Sequence, residues 1–215
     1  EASGDLYKCT YTREGQASLT SESAFGSKVG KEDASNNSYP PYDLKTNKKT
    51  SDHSTLKNFI SYINMTNDQN DFVNTVDQYL DLDSYIKFEA MAYVVGGPDD
   101  HRQNSNNYYL YFSNKTNKAY FIPYDYDRCL GILQDWAIDM SHVPFTTTKK
   151  AGQNRAWQDN PLMWRVFLTH TESNMAIKYP VVEEYRNRYN DLCLEYANKY
   201  LKGNEFYYNF KLWPY

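Results

Sequence analysis

Two aromatic runs, Tyr108-Tyr109-Leu110-Tyr111-Phe112 and Ala119-Tyr120-Phe121-Ile122-Pro123, constrain this chain most, because only Ser113-Asn114-Lys115-Thr116-Asn117-Lys118 separates them. Both are rich in strand formers, and the polar turn between them predicts an antiparallel hairpin. A hairpin brings its two outer ends to one place. Asp99, Asp100, Asn104, Asn106 and Asn107 precede the first run, and Asp125 and Asp127 follow the second, so this geometry gathers both sets. Carboxylate and amide oxygens of this kind suit a hard ion such as Mg²⁺, which keeps waters and is usually completed by substrate phosphates.

The bare chemistry leaves alternatives open. An Asp-rich loop beside a strand is often turn and cap chemistry, and that reading fits Asp99 and Asp100 as well as a catalytic one does. Asp125 and Asp127 ask for more: at i and i+2 after an apolar strand they face the same way if the strand continues, and like charges so close require a cation. Arg102 could contact a phosphate oxygen and His101 could serve the same site, while a surface-loop position suits each equally. Arg128 could pair with Asp127 or reach a phosphate. No Ser or Cys has a positioned His–acid partner in the sequence, which disfavours acyl transfer.

The segment leading into the acids is helical in pattern. Leu56, Phe59, Ile60 and Ile63 recur at helical spacing behind Ser54 as a cap, and a second helix after Asn67-Asp68 carries Phe72, Val73, Val76, Tyr79 and Leu80. A third begins near Asp81, buries Leu82, Tyr85, Ile86, Ala90 and Tyr93, and stops at Gly96-Gly97, just before Asp99. Residues 1–35 read as one strand followed by irregular chain, and 132–159 as loop with short helical turns that could cover the site. Pro161 opens another helix through Met163, Val166 and Phe167. The last starts after Pro180, presents Val182, Tyr185, Tyr189, Leu192, Cys193, Tyr196 and Tyr200 on one face, and ends at Gly203.

A net charge of −4 argues against a general nucleic-acid binder, which would carry a basic stripe. No apolar run approaches the roughly 20 residues that span a bilayer, and Glu1 opens the chain without a charged and apolar leader, so the sequence reads as soluble with any export signal absent. The 3 cysteines, Cys9, Cys129 and Cys193, are widely spaced and odd in number, which favours buried free thiols over disulfides or a zinc knuckle. Three Asn-X-Ser/Thr sequons, at Asn36, Asn64 and Asn114, are short enough to arise by chance in an Asn-rich chain.

The run GGPDDHRQNSNNYYLY followed by FIPYDYDRCLG resembles the CotH-like kinases, the spore coat protein H kinase family, whose pattern is an aspartate loop, then NNYYLY, then IPWDxDxxxG. Tyr124 stands where the family's tryptophan usually stands. GDLYK at Gly4–Lys8, YDLKTN at Tyr42–Asn47 and YLDLDSYIKFEA at Tyr79–Ala90 extend the likeness over most of residues 4–131.

The resemblance implies an atypical Ser/Thr protein kinase of the secretory or spore-coat type, using Mg²⁺ and ATP on a coat or surface acceptor protein. It places the chain at a spore coat or cell surface, with the cytoplasm left open. Asp99 takes the position of the catalytic base, with Asp100 as its rival, and Asp99 to Asn104 matches the Asp-to-Asn step of ordinary kinase loops. Asn107 aligns as the amide metal ligand ahead of Asn104 and Asn106, Asp125 as the metal-binding Asp, and Asp127 as a second metal or supporting ligand. Arg102, Asn104 and Arg128 are the candidates for nucleotide contact. Kinases of this family use an upstream lobe that clamps the nucleotide, so the chain is expected to be the C-terminal portion of a larger kinase and weak alone. The expected fold is α+β: a mainly helical body of about six helices with a small β-hairpin carrying the metal and phosphate site, an atypical protein-kinase-like C-lobe. A single C-terminal kinase-like domain is expected over 1–215, with 1–50 an irregular region with a short strand, 54–131 the catalytic core and 132–215 a loop plus C-terminal helices. A non-catalytic coat interaction protein and a metal-dependent phosphohydrolase are the alternatives.

Overall fold

The computed structural model describes residues 3–65, 68–97, 99–130, 160–167, 170–171 and 177–201. The hairpin forms where expected, from β4 (Tyr108–Phe112) and β5 (Ala119–Pro123), paired antiparallel with Tyr108 opposite Pro123 and Phe112 opposite Ala119. It is one side of a larger sheet. β1 (Asp5–Cys9) pairs antiparallel with β4 over five residues and on its other edge with β3 (Tyr42–Leu44), which carries β2 (Val29–Gly30) in parallel. The order is β2-β3-β1-β4-β5, so a segment expected to be largely irregular supplies three of five strands. Period-2 alternation is invisible in strands of two and three residues, which is why pattern alone did not find them.

One face of this sheet is apolar throughout. Tyr7, Cys9, Tyr42, Leu44, Tyr108, Leu110, Phe112, Ala119 and Phe121 all point inward and join one buried cluster with the helices. α1 (Ser54–Met65) contributes Leu56, Phe59, Ile60 and Ile63, as its spacing predicts. α2 (Gln69–Thr75) is capped by Asp68 and runs into a 3₁₀ turn at Val76–Gln78. That tightening leaves Tyr79 40% exposed and stacked on Tyr62, while Leu80 turns inward beside Ala119.

α3 (Leu82–Val95) begins and ends on the expected signals. The Asp81 carboxylate accepts from the Ser84 N–H at 3.0 Å, and Gly96 closes the helix at φ 68°, a left-handed position that glycine takes without steric penalty. α4 (His101–Asn104) is a single turn. α5 (Pro161–Phe167) lies buried, a pair of short strands, β6 (His170–Thr171) and β7 (Ile177–Tyr179), follows, and α6 (Glu183–Tyr196) packs Tyr189 near Tyr93 of α3. Beyond Tyr196 the backbone widens to a π-helix over Ala197–Leu201, which shifts the helical phase and leaves Tyr200 exposed instead of on the expected face. The covering loop expected at 132–159 and the stop at Gly203 lie outside the described residues. No helix among the described residues is long and apolar enough to cross a membrane.

Candidate active site

The C-terminal stop of α3 delivers the chain directly into the acidic loop. A Cβ on Gly97 would stand 3.3 Å from the Tyr126 ring and 3.5 Å from Asp100 Oδ2, so the absence of a side chain there lets both pack against the turn. Asn104 N–H donates to Asp100 O at 3.0 Å and Ser105 N–H to His101 O at 3.2 Å, closing α4. Ser105 and Asn107 then adopt φ 53° and 55°, a left-handed region that asparagine tolerates better than most residues. The chain folds back on itself as a result.

That reversal aims three asparagines at Asp99. Asn104 and Asn106 donate through Nδ2 to Asp99 Oδ1 at 2.9 and 3.0 Å, and Asn107 donates to Asp99 Oδ2 at 3.2 Å and to its backbone O at 2.8 Å. Asn106 also accepts from the Tyr11 N–H at 2.8 Å, which ties the loop to the chain leaving β1. Asn107 reaches the other acid group as well: its Nδ2 lies 3.5 Å from Asp125 O, and its own carbonyl accepts from the Tyr124 N–H at 3.2 Å. Asn107 thus touches both the Asp99 carboxylate and the backbone of the Asp125 turn.

Asp125 does not extend the strand. Its φ of 56° turns the chain after Pro123, so Asp125 and Asp127 share exposure to solvent across a turn, with Tyr126 directed inward between them. The Leu130 N–H donates to Val95 O, pinning this turn to the end of α3. Burial first, then the Asp100 and Glu89 carboxylates, push Tyr126 well above the ordinary tyrosine value and keep it neutral. Arg128 is partly exposed in the same turn.

Asp100, His101 and Arg102 face the interior, which corrects the surface-loop alternative for the latter two. Asp100 is 2% exposed, and His101 and Arg102 are fully buried. Arg102 Nη2 lies 3.4 Å from Asp100 Oδ2, with the guanidinium over the Tyr93 ring at 5.3 Å. Burial opposes the Arg102 charge, but Asp100, helped by Tyr189 and Glu89, outweighs it and raises the pKa. His101 sits between Glu89, at 2.6 Å from Nδ1, and Asn160, at 2.8 Å from Nε2.

Glu89, Tyr126 and Asn160 are members of this region that pattern reasoning did not assign to it. For Glu89 a signal existed: four residues after Tyr85 and four before Tyr93, it falls on the buried stripe of α3, where an acid demands a partner. Among the described residues no group of three or more His, Cys, Asp or Glu stands ready to hold a metal ion. Asp125 and Asp127 carry exposed carboxylates, and Asn107 nearby carries an amide oxygen. Hard oxygen donors of this chemistry suit Mg²⁺ in the regime where one or two protein carboxylates are supplemented by phosphate oxygens and water.

The sequence matches the family described as CotH kinase protein over residues 1–209. Over 85 residues, 39% of the chain, it is 28% identical to Invasin CotH7 of Rhizopus delemar. Over 79 residues, 36% of the chain, it is also 28% identical to Spore coat protein homolog 1 of the same organism. These alignments cover 14% and 13% of the two relatives, so the chain spans a small part of their length.

Proposed function

The chain belongs to the CotH kinase protein family, and on that premise we propose that it acts in transfer of the γ-phosphoryl group of Mg²⁺-ATP to Ser or Thr hydroxyls of an acceptor protein. The observation that carries the reading is the convergence of three asparagine amides on Asp99, one of which also meets the Asp125 turn. A carboxylate oriented in this way is poised to receive a proton from a substrate hydroxyl as its oxygen bonds to the γ-phosphorus. The bond from that phosphorus to the bridging oxygen breaks, ADP leaves, and the proton rests on Asp99. Asp125, Asp127 and the Asn107 oxygen are the residues that would hold the magnesium. When bound, the ion supplies charge neutralisation and alignment of the phosphates.

Supporting roles follow from position. Asp100, buried and paired with Arg102, serves the loop from beneath rather than as the base, and Arg102 acts through it. Asn104 orients Asp99, and Arg128, partly exposed beside Asp127, contacts a phosphate oxygen. The names of the relatives, an invasin and a spore coat protein homolog, support a place at a spore or cell surface.

The test is labelled-ATP transfer by the protein expressed in its natural sequence context, with Asp99→Asn and Asp125→Asn alongside. Each variant is expected to lose transfer by about 10²–10⁴-fold. Asp125→Asn should keep its unfolding midpoint, whereas Asp99→Asn should lower it, because one edge of the new amide faces an asparagine N–H donor. Wild-type rates in Asp99→Asn would overturn the assignment of the base. Release of free phosphate with no labelled protein would favour a phosphohydrolase. A melting temperature indifferent to Mg²⁺-ATP would favour a non-catalytic coat protein, since a ligand that binds only the folded state must raise it.

A further inference from the structure

Beneath the loop lies a polar chain that the phosphoryl-transfer reading does not use. Glu89 on α3, His101 at the start of α4 and Asn160 ahead of α5 are each 0% exposed. Burying a carboxylate in an apolar core is expensive unless it is hydrogen-bonded, so the contacts it makes are informative. Asn160 fixes the protonation pattern. Its Oδ1 accepts from the Leu162 N–H at 3.0 Å, which caps α5 and turns Nδ2 toward the imidazole. An amide N–H can only donate, so His101 Nε2 is the acceptor at 2.8 Å. The ring proton is therefore on Nδ1, which donates to Glu89 Oε1 at 2.6 Å.

Packing leaves the ring no alternative orientation. Tyr108 and Phe121 stand edge-on to it with centroids at 4.7 and 5.0 Å, and Tyr85 and Phe88 close the other sides at 6.1 Å each. α3, the β4–β5 hairpin and the start of α5 thus grip one residue. That residue follows Asp100 and begins the turn whose far end returns Asn104, Asn106 and Asn107 to Asp99. Rotation of His101 would carry the loop with it.

We propose that Glu89, His101 and Asn160 are positioning residues, a directional hydrogen-bond chain that sets the orientation of the Asp99 loop by locking His101 in its Nδ1–H tautomer. The inference rests on the kinase reading for its consequence in turnover, but the tautomer and the loop orientation can be measured without it. Asn160→Asp keeps the cap acceptor and the size but removes the donor to Nε2, leaving His101 between two carboxylates. The double variant Glu89→Gln/Asn160→Asp restores a complete chain running the other way: the amide introduced at position 89 donates to His101 Nδ1, and His101 Nε2–H donates to the carboxylate introduced at position 160.

Histidine ¹⁵N spectra of the wild-type protein should show His101 as the neutral Nδ1–H tautomer, and those of the double variant the Nε2–H tautomer. An imidazolium or Nε2–H form in the wild type overturns the proposal. In turnover, Asn160→Asp should lower kcat by about 10–100-fold with the KM for ATP little changed, and the double variant should recover most of it. A lesion that is merely destabilising would follow the melting temperature and would not be repaired by a second change. Asn160→Asp at wild-type kcat, or a double variant with the reversed tautomer and no recovery, counts against positioning. Should the wild-type protein transfer no phosphate, the kinase reading fails and the side-chain amide resonances of Asn104, Asn106 and Asn107 decide. They should shift in Asn160→Asp and return in the double variant, and unmoved resonances overturn the proposal.

Discussion

At Gly4 and Gly26 two glycines serve different physical needs. A Cβ on Gly4 would collide with Phe112 O and lie 2.7 Å from the Tyr111 ring, so any side chain must push β1 away from β4 at their first pair, Asp5 with Phe112. Gly26 has nothing within 4 Å of the same atom but sits at φ 59°, where an L-residue is strained by its own backbone. Gly4→Ala is expected to lower stability by about 1–3 kcal/mol or more, as overpacking does, and Gly26→Ala by about 1–2 kcal/mol. Urea unfolding of both variants checks this, and a wild-type midpoint for Gly4→Ala would mean that the β1–β4 contact is looser than it stands here. The same scale shows what sequence can reveal of a site. That Asn107 meets both Asp99 and the Asp125 turn was legible because these residues flank a hairpin, whereas Asn160 lies 59 residues from its His101 partner and no local pattern joins them. Tyr126 was hidden for another reason: between two exposed acids it reads as surface, and only the bare backbone at Gly97 gives it a way in.

Elements were legible in proportion to how much of their information is local. α3 announces its period, its Asp81 cap and its glycine stop within sixteen residues, and the structure keeps all three. The sheet does not, because β1 is defined by partners that lie 33 and more residues away. The junction between β1 and α1 carries a titratable link of this long-range kind: the Tyr7 hydroxyl and His53 Nδ1 are 2.8 Å apart, just ahead of Ser54. Burial first, then Lys57, lowers the His53 pKa below its ordinary value of 6.5. The unfolded chain therefore takes up this proton at higher pH than the folded protein does. The contribution is present in full above the unfolded value and is lost as pH falls through the folded one, so stability should decline on acidification from pH 7.5 toward about 5. His53→Asn removes the titration and still suits the left-handed φ of 63°. The variant loses the Tyr7 contact at every pH, so the comparison is of slopes: its stability should vary less with pH over that window than the wild type's. Equal slopes would assign the acid sensitivity elsewhere.

For the whole molecule the decisive element is β1, because it stands at the centre of the sheet although it is first in the chain. Cutting near residue 50 would separate a fragment that pattern alone marks as one short strand in irregular chain from one with nearly every recognisable helix, and the contacts forbid a clean division. Tyr7, Cys9, Ala17, Leu19, Tyr42 and Leu44 all belong to the cluster that holds α1, α3 and the hairpin. Polar ties cross the same line: Tyr108 donates to Ala17 O at 2.5 Å, Asn64 donates to Leu19 O at 2.8 Å, and Asn106 accepts from Tyr11. Fully burying a large apolar side chain is worth about 1.5–3 kcal/mol, so these six residues together amount to roughly 10 kcal/mol, comparable to the whole net stability of a typical domain at about 5–15 kcal/mol. A chain of residues 54–215 should accordingly lack a cooperative urea transition and a native near-UV spectrum, and a separate 1–50 peptide added in trans should restore both if it can supply the missing strands. Cooperative unfolding of 54–215 alone would mean that the hairpin and helices form a self-sufficient body to which β1 is added. In that case Asn106 would lose only an outside anchor. If the prediction holds, the Asp99 loop cannot form until the amino-terminal strands have docked, because the residue that orients it from one side is itself held by the chain leaving β1.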